Sequence, residues 1–215
     1  GSAGVGASVR RKEDDRFLRG RGQYVGDIRL PGMREIAFVR SPVAHGRIRA
    51  IHVPDAARGA VFVASDLVGV EPIRAATALP GFKHSAEPIL AQDKVRYVGE
   101  LVAMCLADTR AEAEDLAAAV TVDYDELPAV ADMEAARAPG SALVHEHWGD
   151  NVFIEFTEKG DIDAVARDAA IRVHRRIRTA RHCMFPMEGR GVIAHRDDRL
   201  GYLTVISSTQ MPHVV

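Results

Sequence analysis

The residues best placed for chemistry are Ser208-Thr209-Gln210-Met211-Pro212-His213, which follow the apolar run Leu200-Gly201-Tyr202-Leu203-Thr204-Val205-Ile206. A buried strand ending in Thr-Gln aims one carboxamide at whatever lies beyond it, and a buried amide requires hydrogen-bond partners. Gln210 is therefore the residue expected to face a ligand. A carboxamide is neutral, so its chemistry is to donate or accept a hydrogen bond and not to attack or to carry a proton.

Other candidates are weaker. Glu188 lies in the glycine-bounded turn Met187-Glu188-Gly189-Arg190-Gly191, where a carboxylate and a guanidinium brace each other or a nearby backbone; an ion pair with Arg190 is the expectation. His145-Glu146-His147 has a spacing compatible with a metal but no third ligand at a diagnostic interval, so a solvated linker is expected. His45, His52, His84, His174 and His195 are isolated and are expected to be packed or exposed. Cys105 and Cys183 are far apart with apolar neighbours, which predicts buried, reduced thiols. Gly4-Val5-Gly6 and Gly20-Arg21-Gly22 do not join a strand to a helix as a dinucleotide fingerprint must, and neither a nucleophile elbow nor a phosphate loop is present.

The totals set the class. A chain of 215 residues with 47% hydrophobic and 27% charged residues is globular, with room for one large domain or two modest ones. Its 28 Lys and Arg against 30 Asp and Glu give a net charge of -2, which offers no footprint for nucleic acid; the Arg-rich stretch from Val173 to Arg181 is a local exception. No apolar run approaches the roughly 20 residues that cross a bilayer. Arg10-Arg11 resembles an export signal, but charged residues and then Gly20-Arg21-Gly22 stand where its apolar segment belongs, so a cytoplasmic location is expected. Gly1-Ser2 reads as a remnant of cloning.

Elements must position these residues. Strands are predicted at Glu35–Arg40 and Arg47–Val53, which would form a meander or a hairpin-like unit, and at Ala60–Ala64. The stretch from Gly69 to Gln92, broken by Pro72, Pro80 and Pro88, reads as surface loop. Leu101–Ala107 is a short, continuous apolar run suited to a buried strand, and Asp108–Ala119 is the best helix, Ala-rich with early acidic residues. With Val120–Tyr124 they predict a βαβ unit or part of an α+β sandwich. Beyond a connector, strands are expected at Asn151–Thr157, Ile171–Ala180, Pro186–His195 and Leu200–Ser207, with a helix over Asp161–Ala169.

Six motifs in order resemble one family: Gly20-Arg21-Gly22-Gln23-Tyr24-Val25-Gly26-Asp27-Ile28, Arg40-Ser41-Pro42-Val43-Ala44-His45, Val95-Arg96-Tyr97-Val98-Gly99-Glu100-Leu101-Val102-Ala103, Val122-Asp123-Tyr124-Asp125-Glu126-Leu127-Pro128, Met187-Glu188-Gly189-Arg190-Gly191 and Ser208-Thr209-Gln210-Met211-Pro212-His213. Together they resemble the molybdenum-cofactor-binding large subunit of the xanthine dehydrogenase, aldehyde oxidase and carbon monoxide dehydrogenase family. The resemblance implies an α+β fold: a lead-in over 1–19, an α/β hammerhead domain over 20–131, a linker over 132–150 and the incomplete start of a molybdopterin-binding α+β domain over 151–215.

It also implies a function. Family members oxidise a carbon of an aldehyde or N-heterocycle with water as oxygen source. They use molybdopterin, here in its cytosine dinucleotide form, with 2Fe-2S and FAD in partner subunits. Gln210 falls on the position that donates a hydrogen bond to an oxygen ligand of the molybdenum. The catalytic glutamate and the glycine-rich cofactor segments of the family lie downstream of the Gln motif, so Glu188 is not assigned the role of base and this chain alone is expected to be inactive. The partners implied are the remainder of the large subunit, iron-sulfur and flavin subunits and a small-molecule substrate, with neither nucleic acid nor a membrane span. The Met187–Gly191 turn fits the functionally mixed branch better than the dedicated carbon monoxide enzymes. A non-catalytic assembly module with the hammerhead fold is the alternative.

Overall fold

A computed structural model describes residues 4–75, 77–157, 159–180 and 182–213. In chain order the elements are α1 (Asp14–Leu18), β1 (Glu35–Arg40), β2 (Gly46–His52), β3 (Val61–Val63), β4 (Ile73–Arg74), β5 (Ala86–Glu87), β6 (Lys94–Val95), β7 (Leu101–Ala107), α2 (Arg110–Ala119), β8 (Thr121–Glu126), α3 (Ile162–Asp168), β9 (Val192–Asp197) and β10 (Tyr202–Ser207). They fall into two compact units, a central one of Gly32–Ala170 and a terminal one of Gly1–Pro31 with Ile171–Val215.

The central unit is built on β7. Its uninterrupted apolar sequence suits the middle of the antiparallel sheet β1-β7-β3, where Val102, Ala103 and Cys105 are fully buried. Helix α2 packs on β1 and β7 through small side chains, Ala113 meeting Ala37 and Ala107. Its start is a capping box: the Thr109 hydroxyl accepts from the Glu112 amide at 3.2 Å while the Glu112 carboxylate accepts from the Thr109 amide at 3.0 Å. A second antiparallel sheet has the order β6-β2-β8. Ala91, Val95 and Val102 lie beneath it with Ile48, Ile51, Val122 and Tyr124.

The connectivity departs from the expected one at two places. Strands β1 and β2 do not pair as a hairpin, since β1 bonds to β7 and β2 to β8. The break between them is a corner: the Ser41 hydroxyl accepts from the Val43 amide at 3.1 Å, and the Ser41 backbone exchanges bonds with Gly99 and Glu100, which ends the β1 ladder. Gly46 then starts β2 where a Cβ would lie 3.1 Å from the Asp125 carbonyl oxygen, so no larger residue fits without movement. Likewise β7, α2 and β8 do not form a βαβ unit, because the helix carries the chain from one antiparallel sheet to the other. This is the α+β alternative.

Among the described residues of the proline-broken stretch 69–92, β4 pairs with β5 as a short antiparallel ladder. The stretch before Asn151 is ordered within the central unit. The Asn151 side chain accepts from the Val144 amide and donates to the carbonyls of Ala136 and Ala142, at 3.0, 3.0 and 2.9 Å, which folds the segment on itself. Buried Lys94 fastens it to β6, donating to the carbonyls of Leu143 and Val144 and to the Glu146 carboxylate at 2.7 Å. Asn151–Thr157, expected as a strand, forms none. Helix α3 follows, with the Asp161 carboxylate accepting from the Ala164 amide at 2.8 Å.

The terminal unit contains α1 and the antiparallel hairpin β9–β10, in register from Val192↔Ser207 to Asp197↔Tyr202. Its turn is closed by the Asp197 side chain, which accepts from the amides of Arg199 and Leu200, and by Gly201 at φ +71°. Residues 171–180, expected as a strand, have no ladder partner among the described residues; Ile171, Val173 and Ile177 are highly exposed. The strand expected over Pro186–His195 is confined to Val192–Asp197. Cys183, expected to be buried, is exposed. No helix among the described residues is long and apolar enough to cross a membrane.

Candidate functional site

Gln210 lies three residues beyond the end of β10. The strand before it is exposed, and so is Gln210, which corrects the buried setting expected for its amide. A two-stranded hairpin has no second layer against which to bury its faces. What the structure does fix is the direction in which the chain leaves β10. The Ser208 hydroxyl accepts from the Gly191 amide at 2.9 Å and donates to the Gly189 carbonyl at 3.0 Å. The Ser208 amide donates to the Gly191 carbonyl at 3.1 Å. The Thr209 hydroxyl then accepts from the Met211 amide at 3.3 Å, closing a tight local turn around Gln210.

The Glu188 carboxylate does not pair with Arg190. Its Oε1 accepts from the Val25 amide at 3.0 Å. That N–H begins a single 3-10 turn, Val25–Asp27, and would otherwise lack an intrahelical partner. Val25 itself packs against Gly191, where an added Cβ would lie 3.0 Å from one methyl and 3.1 Å from the Val25 Cβ. Three segments therefore converge, Tyr24–Asp27, the Met187–Gly191 turn and Ser208 at the end of β10, and Thr209–Gln210 follow directly from the last of them. The sequence singled out Glu188 and Gln210, but not Val25 or the bracing contacts of Ser208. No spacing rule links residues 163 positions apart.

The histidine pair does not assemble a metal site. The His145 ring packs on Trp148 with centroids 4.2 Å apart, and Glu146 is engaged by Lys94. Burial, with the positive charge of Arg96 nearby, lowers the His145 pKa. The stretch is thus a packed strap and not a solvated linker. His45 is buried with Nδ1 2.7 Å from the Pro128 carbonyl, so it tacks the start of β2 to the chain after β8. His52 meets Asp123 at 2.7 Å. Among the described residues no group of three or more His, Cys, Asp or Glu side chains could hold a metal.

Comparison with known proteins places this arrangement. Residues 19–128 match the model described as "Aldehyde oxidase and xanthine dehydrogenase, a/b hammerhead domain", and residues 144–215 match a "Molybdopterin cofactor-binding domain". The chain belongs to the aldehyde oxidase and xanthine dehydrogenase family. It is an α/β hammerhead domain followed by an α+β domain of the molybdopterin-binding type. The carbon monoxide dehydrogenase large chain of Hydrogenophaga pseudoflava is 35% identical to it over 238 residues, covering 99% of this chain and 28% of that protein. The nicotine 6-hydroxylase large subunit of Paenarthrobacter nicotinovorans is 34% identical over 220 residues, covering 98% and 26%. The crystal structure of quinoline 2-oxidoreductase from Pseudomonas putida 86 superposes with a TM-score of 0.90 at 36% identity, over 98% of this chain and 28% of that one. The chain thus spans about a quarter of the length of these relatives. Identities of 35% and 34% do not separate a carbon monoxide dehydrogenase from a nicotine hydroxylase.

Proposed function

We propose that this chain is the front portion of a molybdenum hydroxylase large subunit, which oxidises a carbon of an aldehyde or N-heterocycle with water as the oxygen source. The observation that carries this reading is the succession, along one chain, of a hammerhead domain and a molybdopterin-binding domain in which Thr209–Gln210 emerges from a braced turn. In this reading Gln210 donates its amide N–H to an oxygen ligand of the molybdenum. The cofactor, molybdopterin in its cytosine dinucleotide form, supplies the oxygen-transfer and redox chemistry when bound. The chain contributes a donor on a segment whose direction Ser208 sets, and a donor held in place costs little reorganisation as charge develops.

Charge supports the assignment. The terminal unit, which carries Gln210, has 15 Lys and Arg against 7 Asp and Glu, a net of +8, while the central unit has 13 against 23, a net of -10. A cationic unit suits an anionic, phosphate-bearing cofactor. The partners in this reading are the rest of the large subunit and subunits carrying 2Fe-2S and FAD, which take the electrons onward. Relatives whose names include nicotine and quinoline support the N-heterocycle part of this substrate class. The test is Gln210→Ala in the full-length enzyme. Turnover is expected to fall roughly a hundred- to a thousandfold, as for loss of one donor to developing charge, with molybdenum content and melting temperature unchanged. Unaltered kinetics would remove Gln210 from the site.

A further inference from the structure

The geometry points to Glu188 and Ser208 as positioning residues that lock the Met187–Gly191 turn and thereby set the direction in which Thr209–Gln210 leaves β10. The inference rests on the reading of Gln210 given above and adds two residues to it. Ser208 makes three bonds to two glycines of the turn, so both its hydroxyl hydrogen and its oxygen are used. Without the hydroxyl, the Gly191 amide and the Gly189 carbonyl each lose a partner, and the only remaining tie between Ser208 and the turn is one backbone bond.

Glu188 holds the opposite side. Its Oε1 takes the Val25 amide of a turn that is itself closed by Asp27, whose carboxylate accepts from the Tyr24 amide at 3.0 Å. Val25 in turn covers Gly191 so closely that an added Cβ there would lie 3.0 Å from a Val25 methyl. The turn is therefore gripped between the Tyr24–Asp27 segment and the end of β10. Glu188 meets a neutral backbone N–H, which needs an acceptor of the right reach and not a charge. The geometry thus predicts that a glutamine serves at 188 as well as the native glutamate. A proton-transfer role for Glu188 predicts the reverse.

Four variants of the full-length enzyme separate these possibilities, with turnover normalised to bound molybdenum and with peptide-level deuterium exchange measured on the same samples. Ser208→Ala and Glu188→Ala are expected to lower kcat about tenfold with KM within about twofold, the pattern of a misdirected group that acts in the transition state. Both should speed exchange in the peptides covering residues 189–191, and Glu188→Ala also in those covering 24–27. Ser208→Thr and Glu188→Gln should match the parent in both measurements. Glu188→Gln as damaging as Glu188→Ala would overturn the proposal, and so would alanine variants with unchanged exchange. Gln210→Ala, run alongside, keeps the failures distinct: unchanged turnover there sinks the reading of Gln210, whereas unchanged exchange in the alanine variants sinks the clamp.

Discussion

Cys105 and Cys183 are both free, but Cys105 points into the β7 core with no exposed surface and Cys183 faces solvent. Burial also pushes the Cys105 thiol pKa up, which disfavours the reactive thiolate. A water-soluble thiol reagent at neutral pH should therefore label one cysteine of the native protein quickly and the second only after denaturation; equal labelling rates would contradict the placement of Cys105. The apolar neighbours of the two cysteines are alike in sequence, and they differ in setting because only Cys105 has strands on either side, β1 and β3, to cover it. Gln210 follows the same logic. Its place after an apolar strand was legible, since the apolar run of β10 gives way directly to Ser208-Thr209-Gln210. Its exposure was not, because alternation reports which face a strand would bury and not whether a covering layer is present. Glu188 was legible as a turn carboxylate, while its true partner, the Val25 amide, lies beyond any local pattern.

The strap over residues 143–151 is the element whose energetics can be tested most simply. Lys94 is 5% exposed and meets the Glu146 carboxylate, whose pKa is lowered to about 2, chiefly by the hydrogen bond from Lys94. A carboxylate with a depressed folded-state pKa stabilises the fold above its unfolded pKa of about 4.3 and loses that contribution as pH falls toward the folded value. The strap's share of stability should thus be full at neutral pH and decline between about pH 5 and pH 2. Because the Glu146 side chain is 53% exposed, solvent screening holds the effect near 1 kcal/mol. Urea unfolding of Glu146→Gln should show a loss of about that size at pH 7 and almost none near pH 2. An equal deficit at both pH values would contradict the ion pair. In the sequence, β7 and α2 stood out because one is a continuous apolar run and the other an Ala-rich segment with a capping threonine. The strap did not, since Lys94 and Glu146 are 52 residues apart and look like ordinary surface charges. The pairing of β1 with β7, not β2, was hidden for a related reason: alternation identifies strands but not their neighbours.

Across the whole molecule, the two units differ in how far their surfaces are covered. The central unit has three buried clusters, whereas the terminal unit leaves Ile171, Val173, Ile177, Val192, Tyr202 and Leu203 at least 66% exposed. With a span of about a quarter of its relatives, the chain on its own is expected to give no substrate-dependent dye reduction and to bind no molybdopterin tightly. Dye reduction by the purified 215 residues would defeat the proposed division of labour. The family was legible at this level because six short motifs recur in a fixed order, a pattern that needs no knowledge of packing. The opposite charges of the two units were not, because they cancel to -2 over the chain. The most direct test of the central claim is metal and pterin analysis of the full-length protein purified from its natural host. Stoichiometric molybdenum and pterin, with iron in the co-purifying subunits, is the predicted result; a folded, intact protein lacking molybdenum and pterin would contradict it.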